Sequence, residues 1–305
     1  MLRANLGSGR CSPRMMAMYK LVVSDLDGTL LGPDHRLGDY TRGVLARVHH
    51  AGADLVLASG RHFMDIRVLA GQLGGDATLA AARQRGALVS CNGAAVNAAD
   101  GRLLQTTCIA PDALGFLTRD PLFRQVQTNV FVTDAWLVEQ AEPSLLRYHQ
   151  DSGFRYRVVD FARLDGAAVL KVFYYGEHAH LVDLEAAIRE RHDGRLGTTF
   201  SLPQTLEVMA AGVSKGAALA RLLDDLGLTP ADVVCYGDGL NDLEMLALIH
   251  DGGGLALLMA NADARLHAAL PDPPRIGSHA EEAVARHLEG LLAAGLLADG
   301  PRRRG

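Results

Sequence analysis

Leu21-Val22-Val23-Ser24-Asp25-Leu26-Asp27-Gly28-Thr29-Leu30 decides how this chain is read. Its continuous apolar start suits a strand buried on both faces, as in a parallel sheet. The strand delivers two acids, two residues apart, into a turn that contains glycine. In open α/β sheets, ligands bind at the carboxyl ends of the strands. On a strand, an i, i+2 spacing puts both side chains on one face. If the turn supports both, one carboxylate can attack while the other handles a proton. Acids this close to a buried strand repel each other, so a cation is expected between them. Taken alone, the same residues equally suit a polar turn.

Similar apolar runs occur at Asp54–Ala58, Ala87–Ser90, Val233–Tyr236 and Leu255–Met259. Helical periodicity follows most of them. Tyr40–His50 carries Val44, Leu45 and Val48 on one side. Lys215–Leu226 carries Ala218, Leu219, Leu222 and Leu223, and Ala280–Ala293 carries Val284, Leu288, Leu291 and Leu292. Strands alternating with helices predict a doubly wound, Rossmann-like α/β fold. The middle differs. Gln127–Val132, Arg155–Val159 and Val169–Tyr175 read as strands with interspersed polar residues, and Pro143–Gln150 and Leu181–Arg191 as helices. That pattern fits an antiparallel sheet with helices on one face. The expected organisation is a core of residues 19–111 and 209–305, split by an α+β insertion at 112–208.

The 305 residues are 49% hydrophobic and 21% charged, which excludes disordered, collagen-like and coiled-coil classes. A net charge of −5 argues against nucleic acid as a partner, since such binding runs on basic surface. It leaves a small anionic substrate open. The four cysteines, Cys11, Cys91, Cys108 and Cys235, lack CxxC spacing and read as free thiols of a reducing, cytoplasmic compartment. No uncharged apolar run reaches the roughly 18–20 residues of a membrane span. Residues 1–18 read as a loose leader and the end, Pro301 to Gly305, as a frayed tail. Nothing indicates the oligomeric state.

A second acidic turn follows Val233-Val234-Cys235: Tyr236-Gly237-Asp238-Gly239-Leu240-Asn241-Asp242. Asp242 falls where a helix begins, a position that also suits capping. Three or four carboxylates at two strand ends make a hard, oxygen-rich site suited to Mg²⁺. Two further pieces can hold an anion. Ser59-Gly60-Arg61 follows a strand and offers a hydroxyl and free backbone N–H groups. Lys215, one of only three lysines, opens a helix where its charge opposes the dipole; a phosphate contact would explain the placement.

Asp25-x-Asp27-Gly28-Thr29, Ser59-Gly60-Arg61, Lys215 and Gly237-Asp238-x-x-Asn241-Asp242, in that order, resemble the four motifs of the haloacid dehalogenase superfamily. Ser90-Cys91-Asn92-Gly93-Ala94, Leu206-Glu207-Val208-Met209, Gly212-Val213-Ser214-Lys215-Gly216 and Met259-Ala260-Asn261-Ala262 are similar to its Cof-type, class IIB sugar-phosphatase branch. The resemblance covers roughly residues 19–295. It implies a C2-type cap inserted between the second and third motifs. It also implies an Mg²⁺-dependent phosphomonoesterase acting on a small phosphorylated metabolite, a sugar phosphate foremost. Asp25 would be the nucleophile, forming an aspartyl phosphate. Asp27 would protonate the leaving alcohol and then activate water. Mg²⁺ would sit among Asp25, the Asp27 carbonyl, Asp238 and Asp242. Thr29, Ser59, Gly60, Arg61, Asn92, Lys215 and Asn241 would contact phosphate or substrate. A phosphomutase of the same superfamily and a non-catalytic metabolite-binding regulator are the alternatives. The chain departs from the branch at 254–262 and 282–285, outside the four motifs. In the cap, Gln127, Asn129, Arg155, Lys171, Tyr174 and His178 are candidates for substrate contact.

Overall fold

The computed structural model describes residues 19–72, 86–150, 152–164, 166–192 and 194–297; the leader and tail named above lie outside the described residues. Two sheets carry the fold. In the larger, β1 (Leu21–Ser24) lies between β12 (Val233–Gly237) and β2 (Asp54–Ala58), all parallel. β3 (Ala87–Ser90) continues the parallel set beyond β2, and β13 (Leu255–Met259) and β14 (Arg275–Ile276) continue it beyond β12.

The strands of this sheet are apolar throughout because both faces are covered. Alternate side chains of β1 enter different cores: Val22 joins one cluster, Leu21 and Val23 the other, and all three are buried. On the first face lie α1 (Asp39–His50), α2 (Phe63–Gln72) and α8 (Ala283–Ala293). On the second lie α5 (Lys215–Leu226), α6 (Leu243–Asp251) and α7 (Ala264–Ala269). The doubly wound core expected from the sequence is therefore present.

Two details correct the expectation. The sheet ends in an antiparallel extension, β4 (Ala95–Ala98) and β5 (Leu103–Thr106), because the chain reverses at Cys91, Asn92 and Gly93, all with positive φ. Asn-Gly is a strong reversal signal, overlooked between two short runs. Also, α8 begins at Ala283 rather than Ala280. Glu282 is left-handed, with φ of 52°, which breaks the turn His279–Glu281 from the helix.

The chain leaves the large sheet after β5 and returns to it through α5. Between them lies a six-stranded sheet in the order β10-β11-β9-β6-β7-β8. Its strands are β6 (Gln127–Val132), β7 (Trp136–Val138), β8 (Tyr156–Val158), β9 (Val169–Tyr175), β10 (Leu196–Leu202) and β11 (Thr205–Ala210). All pairings are antiparallel except β7 with β8. α3 (Pro111–Arg119) and α4 (His178–Arg191) pack on one face. The other face meets the core: Phe131, Trp136 and Leu170 pack with Cys91, Ala94 and Ala95. Of Pro143–Gln150, expected as a helix, Pro143–His149 forms a 3₁₀ helix. β10 was not foreseen, because Leu196-Gly197-Thr198-Thr199-Phe200 is polar and only half-buried. No helix among the described residues is long and apolar enough to cross a membrane.

α5 shows how local chemistry fixes an element that the site needs. Ser214 caps it by accepting from the Ala217 N–H at 3.0 Å, and Gly227 ends it in the left-handed conformation. Ala218, Leu219, Leu222 and Leu223 form its buried stripe. Truncating Leu219, 1% exposed, should lower stability by about 3 kcal/mol, read as a drop in the urea midpoint at unchanged slope.

Candidate active site

The carboxyl ends of β1, β2 and β12 and the start of α5 converge on one corner. Lys215, the first residue of α5, is fully buried. Its Nζ lies 2.6 Å from Asp25 Oδ1 and 2.7 Å from Asp242 Oδ1. Two carboxylates thus offset its unfavourable place against the helix dipole. Asp242 Oδ2 accepts from the backbone N–H groups of Asp238 and Gly239, both at 2.9 Å, and so shapes the second acidic turn. Thr29 donates its hydroxyl to Asp238 Oδ1 at 2.7 Å. Expected at the phosphate, Thr29 instead orients a carboxylate. Gly28, at φ 79°, lies so close to Asp238 that a Cβ would strike its carboxylate.

Oxygens of Asp25, Asp238 and Asp242 lie within 4.8 Å of one another. Burial pushes the Asp25 carboxyl well above the ordinary range; Lys215 opposes the shift, and Asp242 and Asp238 add to it. Burial, with Asp242 adding, raises Asp238 to about 6 despite the Thr29 hydrogen bond. Three carboxylates around one ammonium leave surplus negative charge at low dielectric. All the donors are hard oxygens, so the residues fit a divalent cation such as Mg²⁺.

Asp27 is turned away from that cluster. Arg61 grips it with Nε at 2.7 Å from Oδ2 and Nη2 at 2.6 Å from Oδ1. His35 Nδ1 approaches Oδ1 at 3.0 Å. Burial would raise the Asp27 pKa, but the hydrogen bonds from His35 and Arg61 outweigh it and hold the group well below the carboxylate range. Arg61, also expected at the phosphate, is occupied here by Asp27 and, at 3.4 Å, by Asp65. The Ser59-Gly60-Arg61 turn closes on itself. Ser59 Oγ accepts from the Arg61 N–H at 3.1 Å, which leaves its own proton free to donate.

Asn92 and Asn241 are brought together. Asn241 donates to Asn92 Oδ1 at 3.1 Å, and Asn92 donates to Glu207 of the cap at 2.5 Å. The departing segment at 254–262 still reaches the site, since Asn261 donates to the Gly28 carbonyl at 2.8 Å.

A cavity of about 860 Å³ opens above the acids. The core lines it with Asp25, Asp27, His35, Ser59, Arg61 and Asp238. The cap adds Phe131, Trp136, Phe173, Tyr175, Phe200 and Lys171. Of the cap candidates, Lys171 and His178 line this cavity; Gln127, Asn129, Arg155 and Tyr174 do not. Tyr174 points to the helical face, donating to Leu117 O at 2.7 Å. Strand alternation was the available signal: Lys171, Phe173 and Tyr175 share one face of β9. His35, Glu207 and the aromatic wall were missed as site residues.

The chain belongs to the haloacid dehalogenase-like hydrolases, whose family model matches residues 22–288. Within them it falls in the Cof-type, class IIB branch. It is 37% identical over 275 residues to the HMP-PP phosphatase of Enterobacter sp. (strain 638), covering 90% of this chain and 96% of that protein. It is 35% identical over 275 residues to the HMP-PP phosphatase of Cronobacter sakazakii, with the same coverage of 90% and 96%. A solved haloacid dehalogenase-like hydrolase from Bacteroides thetaiotaomicron superposes with a TM-score of 0.78 at 26% identity, covering 90% of this chain and 99% of that one.

The raised pKa values set a sign for cation binding. Below about 6, protons occupy Asp238 and compete with a cation; above it they are gone. Asp25, raised as well, adds to the competition, so Mg²⁺ affinity should rise with pH through the range around 6. The gain in melting temperature at fixed millimolar Mg²⁺ should therefore be larger at pH 7.5 than at pH 5; an equal gain at both would contradict the assignment.

Proposed function

We propose that the chain is an Mg²⁺-dependent phosphatase of small phosphorylated metabolites that works through Asp25. The observation that supports this most is the buried Lys215 bridging Asp25 and Asp242 beside Asp238, under a cavity roofed by the cap. Bound at Asp25, Asp238, Asp242 and the Asp27 carbonyl, Mg²⁺ would neutralise phosphoryl charge and let two anions approach.

Asp25 attacks phosphorus in line with the leaving oxygen. A bond forms from its carboxylate to phosphorus, the bond to the leaving group breaks, and an aspartyl phosphate remains. Lys215 Nζ and the free Ser59 hydroxyl hold phosphoryl oxygens. Asp27 supplies the proton to an alcohol leaving group and later takes one from the attacking water. To carry that proton it must first exchange one hydrogen bond from Arg61, which engages both its oxygens in this state. Asn92 and Asn241 border the substrate.

HMP-PP heads the list of compounds to assay, because two relatives above 30% identity carry that name. Sugar phosphates belong in the same screen. Five aromatic residues of the cap, Phe131, Trp136, Phe173, Tyr175 and Phe200, line the cavity and can stack on a flat ring.

A phosphate-release screen with Mg²⁺ tests the reading against the Asp25→Asn variant. That variant should lose more than about a thousandfold in turnover. It should still fold, because Asp242 keeps the buried Lys215 ammonium paired. Isomerisation without phosphate release would favour a phosphomutase. Full activity in Asp25→Asn would sink the mechanism, and binding without turnover by the unsubstituted protein would favour a regulator.

A further inference from the structure

Lys171 is a charged side chain that the mechanism does not use. It stands on β9 and is 2% exposed. Its Nζ lies 2.7 Å from the carbonyl oxygen of Gly60 and 2.9 Å from Glu207 Oε1. The rings of Phe131 and Phe173 lie beside it, with centroids 5.1 and 5.4 Å away. The Gly60 carbonyl belongs to the peptide whose N–H, on Arg61, donates to Ser59 Oγ. A carbonyl and an N–H of one trans peptide point in opposite directions. Anchoring the carbonyl on the cap therefore aims the N–H at Ser59. A charge-assisted bond at the carbonyl also polarises the peptide and strengthens its N–H as a donor. Ser59 is then held as an acceptor with its own proton directed elsewhere.

We propose that Lys171 is a positioning residue for the phosphate-binding loop: its ammonium, delivered by the cap, orients the Gly60–Arg61 peptide and through it the Ser59 hydroxyl. Phosphate affinity in the core thereby depends on a cap residue that touches no phosphate. Glu207 holds the ammonium in place, and its second oxygen accepts from Asn92. The inference rests on the reading of Ser59 as a phosphate contact.

The test titrates the full chain with inorganic phosphate in the presence of Mg²⁺, by calorimetry, so that turnover is not needed. Lys171→Met combined with Glu207→Gln removes both partners and leaves no unpaired buried charge. It should bind phosphate about tenfold more weakly than Glu207→Gln alone, the expected loss of a hydrogen bond from a charged group. Ser59→Ala should show a similar loss, and adding it to the Lys171→Met/Glu207→Gln pair should weaken binding no further, because both act through one hydroxyl. Unchanged affinity on losing Lys171, or fully additive losses with Ser59→Ala, overturns the proposal. Glu207→Gln alone carries the test if the pair fails to fold. It loosens the ammonium that Glu207 holds on Gly60, so phosphate affinity should fall, and the fall should vanish in a Ser59→Ala background; unchanged affinity, or a fall that persists without the Ser59 hydroxyl, overturns the proposal. Phosphate that does not bind the unsubstituted chain overturns this inference and the proposed function together; phosphate bound but indifferent to Lys171 overturns this inference alone.

Discussion

One buried ammonium organises the active corner. Lys215 lies at the start of a helix, against the helix dipole and away from water, and such a charge persists only if it is paired. Asp25 and Asp242 pair it, at 2.6 and 2.7 Å. The same contact lets two acids from different strands share one place. It does not balance them, because Asp238 is also there. Burial, with the neighbouring acids adding, explains both raised carboxyl pKa values, and the excess negative charge fits a dication.

The sheet supplies the distances. β12, β1 and β2 are neighbours in register, with Ser24 opposite Tyr236 on one side and Leu57 on the other. Adjacent strands lie about 4.8 Å apart, so residues just past their ends come within reach of one cation and one phosphate. Asp25, Asp238 and Ser59 are such residues. Glycine allows the final approach, since at Gly28 any side chain would collide with Asp238. Thr29 and Asn261 then fix the turn, one on the Asp238 carboxylate and the other on the Gly28 carbonyl. The departures at 254–262 leave this arrangement intact because only Asn261 has to arrive.

The parallel core was legible because its strands are buried on both faces and leave an unbroken apolar trace, as in Leu21-Val22-Val23. The acids at their ends were legible for the same reason: charged residues directly after a buried strand have few structural explanations. What escaped the sequence was set by contacts between distant segments. His35 meets Asp27 only because the loop after Leu31 folds back, with His35 at φ 60°. Thr29 and Arg61 kept their expected places but took carboxylates as partners, a choice that depends on how close Asp238 and Asp27 come. β10 left no trace because a half-buried polar strand at a sheet edge needs no periodic pattern. Alternation along β9, a signal left unused, separates Tyr174 from Lys171, Phe173 and Tyr175.

Cap and core meet through two kinds of contact with different consequences. Phe131, Trp136 and Leu170 against Cys91, Ala94 and Ala95 form an apolar patch, which favours contact but tolerates sliding. Directional bonds cross the same seam: Lys171 to Gly60 O, Asn92 to Glu207, His149 to Asp65 Oδ2 at 2.9 Å and His62 to Val132 O at 2.7 Å. Each demands one separation and one direction, so together they fix the register that the apolar patch leaves free. Three of the four end on or beside groups that form the site: Gly60 in the anion loop, Asn92 beside Asn241, and Asp65 behind Arg61. A displaced cap would therefore do more than uncover the chamber. It would release the Gly60 peptide, the Asn92–Asn241 pair and one of the two carboxylates that hold the Arg61 guanidinium. The geometry at Asp25 belongs to the core, whereas the geometry of the groups around it is shared between both sheets.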